Sequence, residues 1–174
     1  MPLDLFVDTS FALHLISSIH QQGHEPASFL SSVAGPLLLV PRVVAELRRN
    51  RAQAYNLNGQ WGAAGGLSWV LILQFINSAG LVFLVEDEGR TAEAAGSIGL
   101  PEDDARIFAQ VVHACARRSA AAGFLTCDGD YEAIAPRLCE LARDSCGVDL
   151  QVSYMRPDRA KGHLLDLGSE TRPK

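Results

Sequence analysis

The stretch Leu5-Phe6-Val7-Asp8-Thr9-Ser10-Phe11-Ala12-Leu13 changes its period at Asp8. Before Asp8 the apolar residues run without a break, as in a strand. Beyond it Leu13, Ile16 and Ile19 recur at helical spacing, and Thr9 or Ser10 suits the helix cap. The alternation continues downstream. A helix is expected over 27–33, and Gly35-Pro36 then breaks the chain before Leu37-Leu38-Leu39-Val40, a run typical of a strand covered on both faces. Pro41 opens a helix that continues past Arg51. The glycine-rich segment 56–66 cannot hold one regular conformation at reasonable entropic cost and reads as a mobile loop. A helix from Leu67 is expected to end on a Gly80 cap, followed by a strand over 81–85, an acidic turn, and an alanine-rich helix stopping near Gly99. Pro101 begins the longest helix, which reaches about Ala122; a strand over 123–126, a helix over 131–142 and an alternating strand over 148–154 follow. Strands separated by helices predict an α/β fold, three layers α/β/α around a central, mostly parallel sheet, over residues 1–154. Residues 155–174 turn polar, with Pro157, Gly162 and Gly168, and read as a tail.

Composition bounds the function. With 174 residues, of which 48% are hydrophobic, the chain can bury a core as one domain. Its net charge of -5 repels nucleic acid unless basic residues are gathered or acids are neutralised by metal. The cysteines Cys115, Cys127, Cys139 and Cys146 form no CxxC pair, which favours reduced thiols in a cytoplasmic protein and disfavours a zinc site. The first strand starts almost at Met1, leaving no room for a secretory signal. The apolar stretch 67–85 has about the length of a membrane span, but Gln74 and Asn77-Ser78-Ala79-Gly80 interrupt it, so no membrane association is expected.

The acids fall at particular places in this pattern. Asp8 closes a buried strand, at the edge where open parallel sheets carry functional groups; capping the next helix accounts for it equally well. Ile107, Phe108, Val111, Val112 and Cys115 put Asp104 in the middle of its helix's apolar stripe, while Asp103 points about 100° away. Complementing the helix dipole explains Glu102 and Asp103 but not an acid on the buried stripe. An unpaired carboxylate there costs several kcal/mol, so a metal or a charged partner is expected. Glu46 lies at the border of the stripe formed by Val43, Val44 and Leu47; taken alone, with Arg42 and Arg49 beside it, it reads as a surface ion-pair partner. Asp128 and Asp130 flank Gly129 after a strand, where a turn held by aspartate side chains is a sufficient local account. Jointly the pattern says more. Right-handed crossovers bring Asp8, Glu46, Asp104 and Asp128 to one edge of the sheet, and like charges that close need a cation. Ligation by oxygen alone selects magnesium or manganese over zinc.

Four segments between Leu3 and about Tyr154 resemble the motifs of the PIN-domain nuclease family. Val7-Asp8-Thr9-Ser10 is similar to the family's opening aspartate and hydroxyl pair, and Val40-Pro41-Arg42-Val43-Val44-Ala45-Glu46-Leu47 to its second motif, whose functional acid corresponds to Glu46. Leu100-Pro101-Glu102-Asp103-Asp104-Ala105-Arg106-Ile107 resembles the third, with Asp104 before the alanine, and Leu125-Thr126-Cys127-Asp128-Gly129-Asp130-Tyr131 the fourth. The resemblance implies a metal-dependent endoribonuclease that hydrolyses RNA phosphodiester bonds and leaves a 3′ hydroxyl and a 5′ phosphate. The family is best known from the VapC-like toxins of type II toxin and antitoxin pairs, and it also serves RNA processing and decay. Carried over residue by residue, it implies that Asp8, Glu46, Asp104 and Asp128 are catalytic and hold Mg2+ or Mn2+, with Thr9, Ser10 and Asp130 auxiliary. A homodimer and an antitoxin partner are further implications. The segment 56–66 and the tail lie outside the family's minimal domain.

Arg42 and Arg49 are candidates for contact with RNA phosphates or with an acidic partner strand, whereas Arg48 and Arg51 read as a solvated face. Trp61 either stacks on a base or folds onto the core. Rival functions have sequence requirements of their own. A haloacid-dehalogenase-like phosphatase needs an acid where Ser10 stands, a phosphoaspartate receiver needs a lysine after a late strand, and a P-loop needs GxxxxGK; none is present. His20 and His24 have metal-ligand spacing, but Gly23 and Pro26 argue for loop histidines. The remaining rivals are a PIN-like binding module without catalysis and an RNA-processing nuclease that is not a toxin.

Overall fold

A computed structural model describes residues 4–33, 36–49, 69–82, 88–118, 121–156 and 159. Five strands, β1 (Asp4–Val7), β2 (Leu37–Leu39), β3 (Gly80–Leu81), β4 (Ala121–Thr126) and β5 (Asp149–Tyr154), form one sheet in the order β3-β2-β1-β4-β5 with every pairing parallel. Seven helices connect and cover them among the described residues: α1 (Thr9–Gln21), α2 (Pro26–Ser32), α3 (Pro41–Arg49), α4 (Trp69–Ser78), α5 (Gly89–Ile98), α6 (Glu102–Arg118) and α7 (Ala135–Cys146).

Strand order fixes the layers. From β1 the chain steps outward to β2 and β3, then returns across the sheet to β4 and β5, and right-handed crossovers in opposite directions send helices to opposite faces. Accordingly α1 packs on α2, α3 and α4, while α5 packs on α6 and α7, giving three layers α/β/α. The neighbours β1 and β4 lead into helices on different faces, so their carboxyl ends open a crevice at the switch of direction. The central strands are covered on both sides: Phe6, Val7, Leu39 and Phe124 are all fully buried, as unbroken apolar runs require. The edge strand β5 alternates exposed and buried from Asp149 to Val152.

Several boundaries differ from expectation for identifiable reasons. Gly80 belongs to β3 and does not cap α4; a Cβ there would come within 2.7 Å of Leu38 Cδ2, so glycine lets β3 seat against β2. α6 stops by Arg118 and β4 already begins at Ala121, because pairing of Ala122 with Asp4 in the sheet overrides the helix preference of the alanines. The helix expected over 131–142 starts only at Ala135, after a short 3-10 turn over Gly129–Tyr131, and runs on to Cys146. His20 is helical, since α1 extends to Gln21 before Gly23 breaks it at φ 71°. All four cysteines are free thiols. The segment 56–66 with Trp61, most of the strand expected over 81–85, the helix beyond Arg49 and nearly all of the tail lie outside the described residues. Among those described, no helix is long and apolar enough to cross a membrane.

Candidate metal centre

Asp8 is held in the crevice by the start of α1 and by β4 across the sheet. Its backbone is still extended while Thr9 is already helical, and its side chain caps α1 by accepting from the Phe11 amide at 2.7 Å. Of the caps the sequence allows, Asp8 takes the role and Thr9 and Ser10 do not, which leaves both hydroxyls to bond elsewhere. Ser10 Oγ lies 2.9 Å from each Asp8 oxygen and accepts from the Cys127 amide at 3.1 Å. Thr9 Oγ1 donates to Glu46 Oε2 at 2.6 Å, fixing a glutamate from α3 against the start of α1. Across the sheet the fully buried Thr126 donates to Asp8 Oδ2 at 2.5 Å and accepts from the Asp128 amide at 2.9 Å. One hydroxyl thus holds the ends of β1 and β4 together and sets the turn that carries Asp128.

That turn supplies the other wall. Asp128 accepts from the Asp130 amide at 2.9 Å, so the aspartate side chain shapes the 3-10 turn. Tyr131 ends it fully buried, edge-on to Phe124 at 5.6 Å between ring centres, with its hydroxyl donating to the Asp104 carbonyl at 3.1 Å. Asp104, in the first turn of α6, is thereby tied to the turn bearing Asp128 and Asp130. Each of these three residues offers an oxygen, and the three oxygens lie within 4.8 Å of one another. Oxygens on a divalent ion at roughly 2.1 to 2.5 Å lie roughly 4 to 5 Å apart when opposed, so the triad has a fitting span.

Electrostatics gathers all five acids into one system. The carboxyl of Asp104 is raised from the ordinary 3.8 to about 7, first by burial and then by the charges of Asp128, Asp8, Glu46 and Asp130. Asp8 is raised to about 6 by burial and by Asp128, against the lowering effect of its bonds from Thr126, Phe11 and Ser10. Among the described residues no lysine, arginine or histidine forms an ion pair with any of the five. Burial pushes the Cys127 thiol beside them up to about 12, so it is no nucleophile at neutral pH.

The sequence-derived candidates therefore separate. Asp8, Glu46, Asp104 and Asp128 converge, and Asp130, ranked below them from sequence, stands inside the tight triad with Asp104 and Asp128. Arg42 is otherwise occupied. Its amide donates to Gln110 Oε1 at 2.9 Å, its guanidinium pairs with Asp103, and Gln110 in turn donates to Glu88 at 3.0 Å, so it ties α3 to α6. Arg49 is exposed at the far end of α3. Two contributors were missed. The isolated hydroxyl of Thr126 at the end of an apolar strand signalled a bonded role, and Tyr131 is the polar-tipped aromatic of the fourth motif. A cleft of about 740 Å³ between α5 and α6, lined in part by Glu88, Gly96 and Arg106, includes none of the five acids. The sequence matches no protein-family profile and no curated protein.

Proposed function

We propose that the protein is a PIN-like, metal-dependent endoribonuclease, with Asp8, Glu46, Asp104 and Asp128 as its catalytic acids and Asp130 as a further ligand. The observation that carries this reading is the meeting of five carboxylates in one crevice, with no protein cation paired to them among the described residues. Such a group keeps its charge only with an ion from outside. An all-oxygen donor set suits Mg2+ or Mn2+. Held there, the ion would neutralise a phosphate and acidify a water molecule.

The chain's own residues have separate tasks in this scheme. Asp104, Asp128 and Asp130 present oxygens toward one point; Asp8, which takes bonds from Phe11, Ser10 and Thr126, is held rigid beside them. Glu46, fixed by Thr9, completes the negative wall and can orient a water or accept its proton. Thr9, Ser10 and Thr126 hold the acids in place without touching the phosphate. The choice of RNA as substrate rests on the resemblance of the four segments to PIN motifs, and so do the toxin role, the antitoxin partner, the homodimer and the cytoplasmic setting. Incubation of the purified chain with varied RNAs and Mg2+ tests the reading: cleavage is expected, and Asp104→Asn abolishes it while circular dichroism is preserved. A wild type inert toward every RNA would instead indicate a binding module. Growth arrest on induction in a bacterium, relieved by Asp104→Asn, would mark a toxin, and harmless expression of an active enzyme a processing nuclease.

A further inference from the structure

Four of the described arginines are held in ion pairs. At the amino edge of the sheet Arg118 pairs with Asp4 at 2.9 Å and Arg143 with Asp149 at 3.5 Å. On the helices Arg42 pairs with Asp103, and Arg106 with Glu102 at 2.7 Å. Arg48, Arg49, Arg90, Arg137, Arg156 and Arg159 are exposed and form no ion pair among the described residues, and of these Arg137 and Arg156 stand at the carboxyl edge on the flank of β5. Arg137 lies in the first turn of α7, which follows the turn carrying Asp130. Arg156 lies just past β5. The ladder that pairs Thr126 with Tyr154 continues as the Met155 amide donates to the Thr126 carbonyl at 2.8 Å, which brings Arg156 level with Cys127 and Asp128. Paired strands lie about 4.8 Å apart, so the backbone at Arg156 is roughly one strand spacing from the turn that bears Asp128. Arg159 follows, its amide donating to the Arg156 carbonyl at 3.0 Å.

Acids and arginines share this edge without pairing: the carboxylates act on one another, and both arginines are exposed. A polyanionic strand arriving with its divalent ions satisfies both sets at once. We infer that Arg137 and Arg156 contact phosphates of the RNA, so that the bound strand runs across the carboxyl edge on the β5 side of the pocket. The inference rests on the ribonuclease reading and deepens it by assigning the flank from which substrate is held. Arg42, by contrast, is paired with Asp103 between α3 and α6.

The test compares the wild-type chain with Arg137→Gln/Arg156→Gln and Arg137→Lys/Arg156→Lys, using a fluorescent single-stranded RNA oligonucleotide across a salt series, together with steady-state cleavage. In the glutamine variant the Kd and KM are expected to rise roughly three- to tenfold, kcat to stay within about twofold, and the slope of log affinity against log salt to shrink by roughly 0.7 per lost contact; lysine restores most of the loss. A cleaving wild type whose glutamine variant shows unchanged Kd, KM and salt slope overturns the inference and leaves the proposed function standing. A wild type that binds without cleaving overturns catalysis, and its Kd and salt slope still decide the arginines. A wild type that neither binds nor cleaves overturns both. An equal loss of affinity for a polyglutamate peptide would assign the arginines to an acidic protein partner and also overturn the inference.

Discussion

The two edges of one sheet treat aspartate in opposite ways. At the amino edge, Asp4 at the start of β1 and Asp149 at the start of β5 each face an arginine, from α6 and α7 respectively. At the carboxyl edge, Asp8 and Asp128, which follow β1 and β4, gather further acids and pair with no arginine among the described residues. β1 carries one acid of each kind, Asp4 and Asp8, so membership of a strand does not dictate the difference. An acid that serves only the fold is matched by a cation from the chain, whereas a group of acids left unmatched at the switch of strand direction stores an unfavourable interaction that an outside ion can relieve.

Breaking the carboxyl edge should have the largest effect. Asp104→Asn removes an acid that feels all four others, and RNA cleavage is expected to fall by a factor on the order of a hundred or more, as read from kcat/KM with the thermal midpoint unchanged or raised. Thr126→Val comes next. It deletes the donor to Asp8 and the acceptor for the Asp128 amide, so metal affinity measured by calorimetry should weaken about 10- to 100-fold, with stability lowered by about 1 to 3 kcal/mol in denaturant titrations.

The contrast sharpens with pH. Asp8 and Asp104 have folded-state values of about 6 and about 7, against 3.8 ordinarily, so between about pH 4 and 7 the folded chain keeps protons that the unfolded chain has released. Without metal, stability should therefore fall as the pH rises through that window. Thermal unfolding in chelator from pH 5 to 8 measures the slope, and Mg2+ should flatten it; a chelated protein that gains stability over this range contradicts the electrostatic account. The amino edge gives the smallest response: Arg118→Ala should cost about 1 kcal/mol or less and leave cleavage untouched.

Periodic features of the fold were legible in the sequence and cooperative ones were not. The runs ending at Val7 and Val40 read as buried strands because few other elements tolerate apolar side chains at every position, and the repeat after Asp104 put that acid on the apolar side of its helix, where it stands half-buried. The start of β4 was hidden, since alanines near 120 favour helix locally and only pairing with β1 draws them into the sheet. Asp8, Thr9 and Ser10 are all competent caps, so local chemistry alone could not tell that the first takes the role and frees the others to bond Asp8 and Glu46. The closeness of Asp130 to Asp104 and Asp128 was hidden for a similar reason: a turn aspartate looks the same whether or not the turn faces other acids. Glycine at position 80 suggested a helix stop, and its use is to leave room for the Leu38 side chain of the neighbouring strand.

Tyr131 has a consequence for how the crevice is loaded. Its ring is clamped in the core against Phe124, and its hydroxyl grips the main chain of Asp104. The turn and the helix that carry the triad are therefore assembled ahead of any visitor, by contacts that involve no charge. Capture of the proposed ion would then require little ordering of the chain, so that its loading and release would need no local refolding.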